Sequence, residues 1–426
     1  MTPRIVGPAM PATGAPDGGP HARWIGWLDV DHADSSRGQV TIEPTHAESY
    51  RRARILLRHG LDPLDFVEAD IVGGTVTVPV PQLPQAGDRP TDVAKTPISV
   101  VLCTRERPHD LAGALGSITA LDYPDFEIVV VDNAPRTDAT ERVVEAIADP
   151  RVRRVVEPVP GLSNARNAGL RAARHDVVAF TDDDVTVDPH WLRALARAFT
   201  QHPDAACVCG LVPSGELRTA AQAYFDQRVS WADSLQPRRY CLTEPPSDTP
   251  LFPFQIGRYG TGANFAVKRA PVIELGGFDE ALGAGTAARG GEDIDMFYRL
   301  IVAGHTLVND PAAIVWHRHR SDAAALLAQA KGYGLGLGAW LTKVALDREH
   351  RRRAFLVARR RFRDTARSGA AYGAIAAPAR GYDDAVPPGV GRTEVLSVLG
   401  GPWALWRGRR QGRLAQPLHA PPGRAG

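Results

Sequence analysis

The stretch Asp176-Val177-Val178-Ala179-Phe180-Thr181-Asp182-Asp183-Asp184-Val185 constrains this chain more than any other. Four apolar residues run without alternation, the pattern of a strand covered on both faces, and deliver three carboxylates to its C-terminal end. Open α/β sheets bind ligands at that edge. Three adjacent carboxylates repel one another unless water, a helix dipole or a cation offsets their charge, and hard divalent cations favour such oxygens. A metal carrying a diphosphate is the first expectation. The plainer alternative is a solvated turn capping a helix at Pro189-His190-Trp191-Leu192.

The preceding residues supply the rest of a sheet. Ile98-Ser99-Val100-Val101-Leu102 reads as a buried strand, followed by the polar loop Cys103-Thr104-Arg105-Glu106-Arg107-Pro108. Asp110 caps a helix with Leu111, Leu115 and Ile118 at helical spacing. A second strand, Phe126 to Val131, ends at Asp132-Asn133; a helix from Asp138 to Ala148 and a strand from Val152 to Val156 follow. The turn Pro160 to Gly169 opens another helix, capped by Ser163 or Asn164, in which Arg166 either reaches over the sheet edge or sits in an ordinary first turn. Strand and helix alternating at short spacing predict an α/β fold with a mostly parallel, doubly wound sheet.

The 426 residues divide by composition. Residues 1–23, rich in Pro, Gly and Ala, are expected to form a disordered leader. Residues 24–80 read as a small α+β appendage, with strands at Trp24–Val30, Gln39–Ile42 and Thr75–Val80 and a helix over Ala47–His59. A linker over 81–96 leads to the main domain, 97–320. Residues 321–426 form a helical, basic extension with a flexible tail.

A net charge of +2 gives no case for nucleic acid as a partner. With few cysteines, no secretory pattern and no apolar run of spanning length, a reduced, cytoplasmic setting is expected. Lys331 to Leu346, punctuated by glycines, reads as a closely packed helix or a shallow membrane contact. Phe355, Leu356 and Phe362 lie among arginines, and Trp403-Ala404-Leu405-Trp406 precedes Arg407 to Arg413. Such runs suit peripheral contact with an anionic membrane surface, at the inner face of the membrane, or plain solvated faces and terminal packing.

The motifs Val100 to Arg105, Val130-Val131-Asp132-Asn133, Gly161 to Gly169 and Thr181 to Asp184 resemble the nucleotide-sugar half of family 2 glycosyltransferases. The likeness continues through Gly262 to Ala266, Gly276-Gly277-Phe278-Asp279, Gly291 to Asp295 and Trp316-His317-Arg318-His319. Over Pro97 to Arg320 the motifs stand in the family's order. The resemblance implies a GT-A fold and metal-dependent, inverting transfer of a sugar from a nucleotide-diphosphate donor to a glycan, lipid-linked or small-molecule acceptor.

It implies, further, that Thr104, Arg105, Asp132 and Arg166 meet the donor nucleotide. Asp182 and Asp184 match the outer positions of the family's Asp-any-Asp motif, touching ribose or metal-bound water and the metal (Mn or Mg), with Asp183 a secondary nucleotide position. His317 matches a second metal ligand, and His319 lies nearer the diphosphate or is exposed. The catalytic pair that the resemblance implies is Glu292-Asp293, with Asp293 matching the family's general base. On the residues alone, Glu292, Asp293 and Asp295 also suit the first turn of a helix, favoured there by its dipole, with Asp295 and Arg299 pairing four apart. Two other functions stay open at this point: a non-catalytic sugar-nucleotide or glycan binding module, which needs no base, and a sugar nucleotidyltransferase, whose Gly-rich phosphate loop is missing after the first strand.

Overall fold

The computed structural model describes residues 4–30, 38–81, 96–229, 231–368 and 389–412. Residues 82–95 of the linker expected over 81–96, and the expected tail beyond residue 412, lie outside the described residues. Six strands come first: β1 (Arg4–Val6), β2 (Trp24–Asp29), β3 (Gln39–Pro44), β4 (Arg52–His59), β5 (Asp62–Asp70) and β6 (Val76–Pro79). They make two three-stranded sheets, ordered β1-β3-β6 and β2-β4-β5. The appendage is therefore all-β among the described residues, and the helix expected over Ala47–His59 is instead a turn followed by β4. The period was two, not 3.6: Ala53, Ile55 and Leu57 point inward, while Arg52 and Arg54 meet Glu68 and Asp70 across the sheet.

The expected disordered leader is also corrected. β1 pairs in parallel with β3, Met10 is buried, and Thr13 donates its amide to Glu216 at 3.0 Å. A segment poor in apolar residues is ordered here by edge pairing and by one buried carboxylate rather than by a core of its own. The buried Arg58–Asp188 pair, 2.8 Å apart, and Arg54–Asp226, at 2.8 Å, fasten the appendage to the main domain.

The main domain runs β7 (Ile98–Thr104), α1 (Pro108–Thr119), β8 (Phe126–Asn133), α2 (Ala139–Ile147), β9 (Val152–Glu157), α3 (Leu162–Ala172), β10 (Val177–Thr181), β11 (Val185–Val187), α4 (Trp191–Gln201), β12 (Ala205–Leu211), α5 (Ala220–Arg228), β13 (Arg238–Tyr240), β14 (Asn264–Lys268), α6 (Arg269–Glu274), α7 (Glu292–Val302) and β15 (Thr306–His317). α8 (Ala323–Leu346), α9 (Arg348–Ser368), α10 (Val390–Val398) and α11 (Gly401–Gly412) follow. The sheet order is β11-β15-β12-β14-β10-β7-β8-β9, with β13 on β15. β9, β8, β7 and β10 are parallel, and β14 runs antiparallel to both its neighbours.

The α/β class and doubly wound centre expected from sequence are thus observed. Alternate residues of each strand serve opposite layers: Val100 and Leu102 pack with α1 and α4, whereas Val101, Phe180 and Phe265 pack with α3, α7 and α8. Chain order reverses between β7 and β10, and that switch point opens a crevice at the strands' C-terminal ends.

Two capping expectations are corrected. α1 begins at Pro108 after Arg107, and Asp110 sits in its first turn, paired with Arg107 at 2.9 Å. α3 begins after Gly161, whose φ of 136° suits glycine, with no side-chain cap. Ser163 donates to the Leu282 carbonyl and Asn164 to the Pro160 carbonyl, so neither is available.

A cleft at the switch point

A cleft of about 1010 Å³ opens there, lined among others by Thr104, Arg105, Arg107, Arg166, Asp182, Asp183, Asp184, Glu292, Asp293 and His317. Sheet register assembles it. The β11–β15 ladder sets Val185 opposite His317, so Asp184 lies beside the imidazole. The β10–β14 ladder sets Thr181 opposite Asn264, which brings the Gly262-Ala263 turn against Asp182. Thr181 Oγ1 locks that turn by donating to the Ala263 carbonyl at 2.8 Å.

Asp182, Asp184 and His317 each present a ligand atom within 4.8 Å of the others. His317 Nε2 is 3.4 Å from Asp184 Oδ1, and its Nδ1 faces His319 Nδ1 at 3.1 Å. Burial and then the neighbouring His317 hold His319 well below the usual imidazole range, so it is neutral beside its partner. His319 is buried, its ring tilted against that of Phe225 at 4.6 Å between centroids, and is not an exposed residue.

Charge in the triplet is uneven. Burial works against ionisation of Asp184, yet His317, Arg107 and Arg320 hold its carboxyl well below the usual carboxylate range. Burial pushes Asp182 up to about 6, against the pull of Arg166 and with the help of the Asp184 charge. Asp183, buried, is pushed up to about 7 against Arg107; it accepts from Thr104 Oγ1 at 2.8 Å and from Arg107. Two carboxyls held above their ordinary values by burial and like charge form a site that an added cation would relieve.

The facing wall comes from α7. Gly291, before its first turn, has φ 92°, and a Cβ there would fall 2.8 Å from the Gly336 carbonyl oxygen of α8. Asp293 is held by two backbone donors, Gly262 N–H to Oδ2 at 2.7 Å and Ile294 N–H to Oδ1 at 2.8 Å. Burial and the adjacent Asp293 push Glu292 up to about 7, against Arg166. Arg166 is buried and forks between Glu292 Oε1 at 2.9 Å, the Gly262 carbonyl at 2.9 Å and Asp182 at 3.6 Å. Glu292 Oε2 has no hydrogen-bond partner among the described residues.

Asp132 lies apart from these groups. It is fully buried and pairs with Arg154 at 3.0 Å, while the next residue, Asn133, lines the cleft. Arg107, Arg320, Trp231, Gln329, Tyr333 and Glu394, which motif and spacing did not single out for the site, line the same cleft. Arg107 stood in the polar loop already singled out, but its direction follows only from the pairing with Asp183 and Asp184. Tyr333 and Gln329 occupy the glycine-punctuated helix, where Gln329 donates to the Tyr333 hydroxyl at 3.0 Å.

The family described as "Glycosyl transferase family 2" matches residues 99–269. The "Pre-mycofactocin glycosyltransferase" of Mycobacterium tuberculosis is 32% identical over 174 residues, 41% of this chain and 33% of that protein. The "Succinoglycan biosynthesis protein ExoM" of Rhizobium meliloti is 30% identical over 241 residues, 55% of this chain and 71% of that protein. A solved structure, "Mannosyltransferase PcManGT from Pyrobaculum calidifontis in complex with GDP-Man and Mn2+", is similar at TM-score 0.42 and 21% identity, over 77% of this chain and 80% of that one. The chain spans only a third of the mycobacterial relative. Its match begins at the strand ending in Thr104 and runs past the acidic triplet and the Gly262 turn, and it covers most of the rhizobial relative's length: the chain belongs to glycosyl transferase family 2.

Proposed function

We propose that the chain transfers a sugar from a nucleotide-diphosphate donor to an acceptor hydroxyl, with inversion at the anomeric carbon. One observation carries this reading: Asp184 and Asp293, distant in sequence, line a single cleft large enough for a nucleotide sugar with part of an acceptor. Asp293 is the general base. Its two backbone donors fix the carboxylate and leave lone pairs for the acceptor hydroxyl, whose proton it takes as the oxygen attacks opposite the diphosphate.

Asp182, Asp184 and His317 would hold a divalent ion, Mn²⁺ or Mg²⁺, and two carboxylates with an imidazole fit such a cation. Bound there, the ion supplies positive charge beside the departing diphosphate. Thr104, Arg105 and Arg166 are assigned to the donor, and Glu292 Oε2, without a partner among the described residues, accepts from a sugar hydroxyl. Arg107 and Arg320, already turned to the acidic cluster, bring further positive charge to the phosphates. Names of the relatives agree on sugar chemistry and differ on what is built, so the acceptor class stays a glycan, lipid-linked molecule or small molecule.

The test is a panel of sugar nucleotides offered with Mn²⁺, Mg²⁺ or chelator. At least one donor should raise the unfolding temperature in a metal-dependent way and be slowly hydrolysed. Neither effect with any donor in either metal would sink the reading.

A further inference from the structure

We propose that the outer face of the α10–α11 pair docks on an anionic lipid bilayer. Val395, Leu396, Leu399, Trp403 and Trp406 are exposed, Leu399 at 78% and the two tryptophans at 54% and 52%. Trp403, Trp406 and Arg410 follow one another at steps of three and four and so share one side of α11, and Val395 and Leu399 stand four apart at the end of α10. The opposite side is fixed to the protein. Ala404 and Leu405 are buried, and a Cβ on Gly401 or Gly408 would fall 2.1 Å from Gly338 or 2.3 Å from Ala281. The apolar face is thus held outward by packing on its other side.

Charge identifies the occupant. Arg392, Arg407, Arg409 and Arg410 are exposed along these helices, and the single acid within them, Glu394, is paired with Arg228 at 2.5 Å. Arg407 and Arg410 lie over the Trp403 and Trp406 rings at 5.2 and 4.1 Å. An indole beside a guanidinium suits the interfacial layer, where the ring enters the acyl boundary and the cation meets a lipid phosphate. Exposed aliphatic and indole side chains beside arginines that have no acidic partner among the described residues fit that surface, and no described helix is long and apolar enough to cross the bilayer. The helix α10 also carries Glu394, which lines the cleft, so the docking face and the cleft share one helix.

The experiment is co-sedimentation of the full chain with vesicles of phosphatidylcholine alone or mixed with phosphatidylglycerol, with tryptophan emission read in parallel. Binding to the mixed vesicles, a blue shift and release by salt are expected. Trp403→Glu combined with Trp406→Glu should weaken binding by about tenfold or more. Leu399→Glu tests the face without touching an aromatic, and Ile5→Glu, an exposed apolar residue on β1, should bind as the unaltered chain does. Circular dichroism checks that each variant is folded. Three outcomes overturn the proposal: a chain that ignores anionic vesicles, stripe variants that bind undiminished, or a face that instead mediates a concentration-dependent dimer lost in those same variants.

Discussion

Arg166 Nη1 donates to Glu292 Oε1 at 2.9 Å, tying the helix after β9 to the first turn of the helix that carries Asp293. The arginine is fully enclosed, and its remaining contacts hold the Gly262 turn that also orients Asp293. Removing one partner of such a pair leaves a buried charge unmatched, at a cost of about 3–5 kcal/mol. Arg166→Ala should lower the urea midpoint accordingly. Arg166→Lys should recover part of that stability but not donor binding, because an ammonium cannot span three separate acceptors. Full stability in Arg166→Ala would show the pair to be energetically idle.

Asp293→Asn keeps the size of the side chain and removes its basicity. Donor-induced thermal protection is expected to persist while transfer falls by about two to four orders of magnitude, the usual worth of a positioned base. Undiminished turnover would remove Asp293 from the mechanism.

His317→Ala takes the only nitrogen ligand from the Asp182, Asp184 and His317 group. The Mn²⁺ concentration giving half-maximal donor protection should rise by about tenfold or more, since lost ligands and their supports cost on that scale. An unchanged metal titration would assign the imidazole to packing against Trp231 instead.

Glu127 offers a pH test away from the cleft. Burial works against its charge, but Arg153, the Arg174 amide and Ser99 hold the carboxyl below its ordinary value. The folded-state value being the lower one, its contribution is present above the unfolded value near about 4.3 and is lost as pH falls through the folded one. Glu127→Gln should cost about 1–3 kcal/mol at neutral pH, with the gap to the unaltered chain closing in acid. Urea melts across that range decide it; a gap that stays constant would contradict the linkage.

Much of the cleft was legible because strands of unbroken apolar residues end in polar ones: Leu102 before Thr104, Phe180 before Asp182. Asp132 could not be separated from Asn133 by pattern, because its ion pair with Arg154, 22 positions on, exists only once β8 and β9 lie side by side. Arg107 and Arg320 were invisible for a different reason: an arginine in a polar loop acquires direction only from the carboxylates that fold against it. The helix expected over Ala47–His59 gives way to a strand because Arg52 and Arg54 alternate with Ala53 and Ile55 and meet acids on a neighbouring strand. In the C-terminal part the glycines announced close approach, but not that α10 and α11 were what approached.

That approach has a cost for any shortened chain. In α8 a Cβ on Gly334 or Gly338 would fall 2.1 Å from the carbonyl oxygen of Glu394 or Val398, so main chain rests on main chain along the seam. Gln329 and Tyr333 project from the same helix toward the carboxylates, alongside Glu394. Ending the protein before α8 would strip one flank from the cleft and leave it open to bulk water.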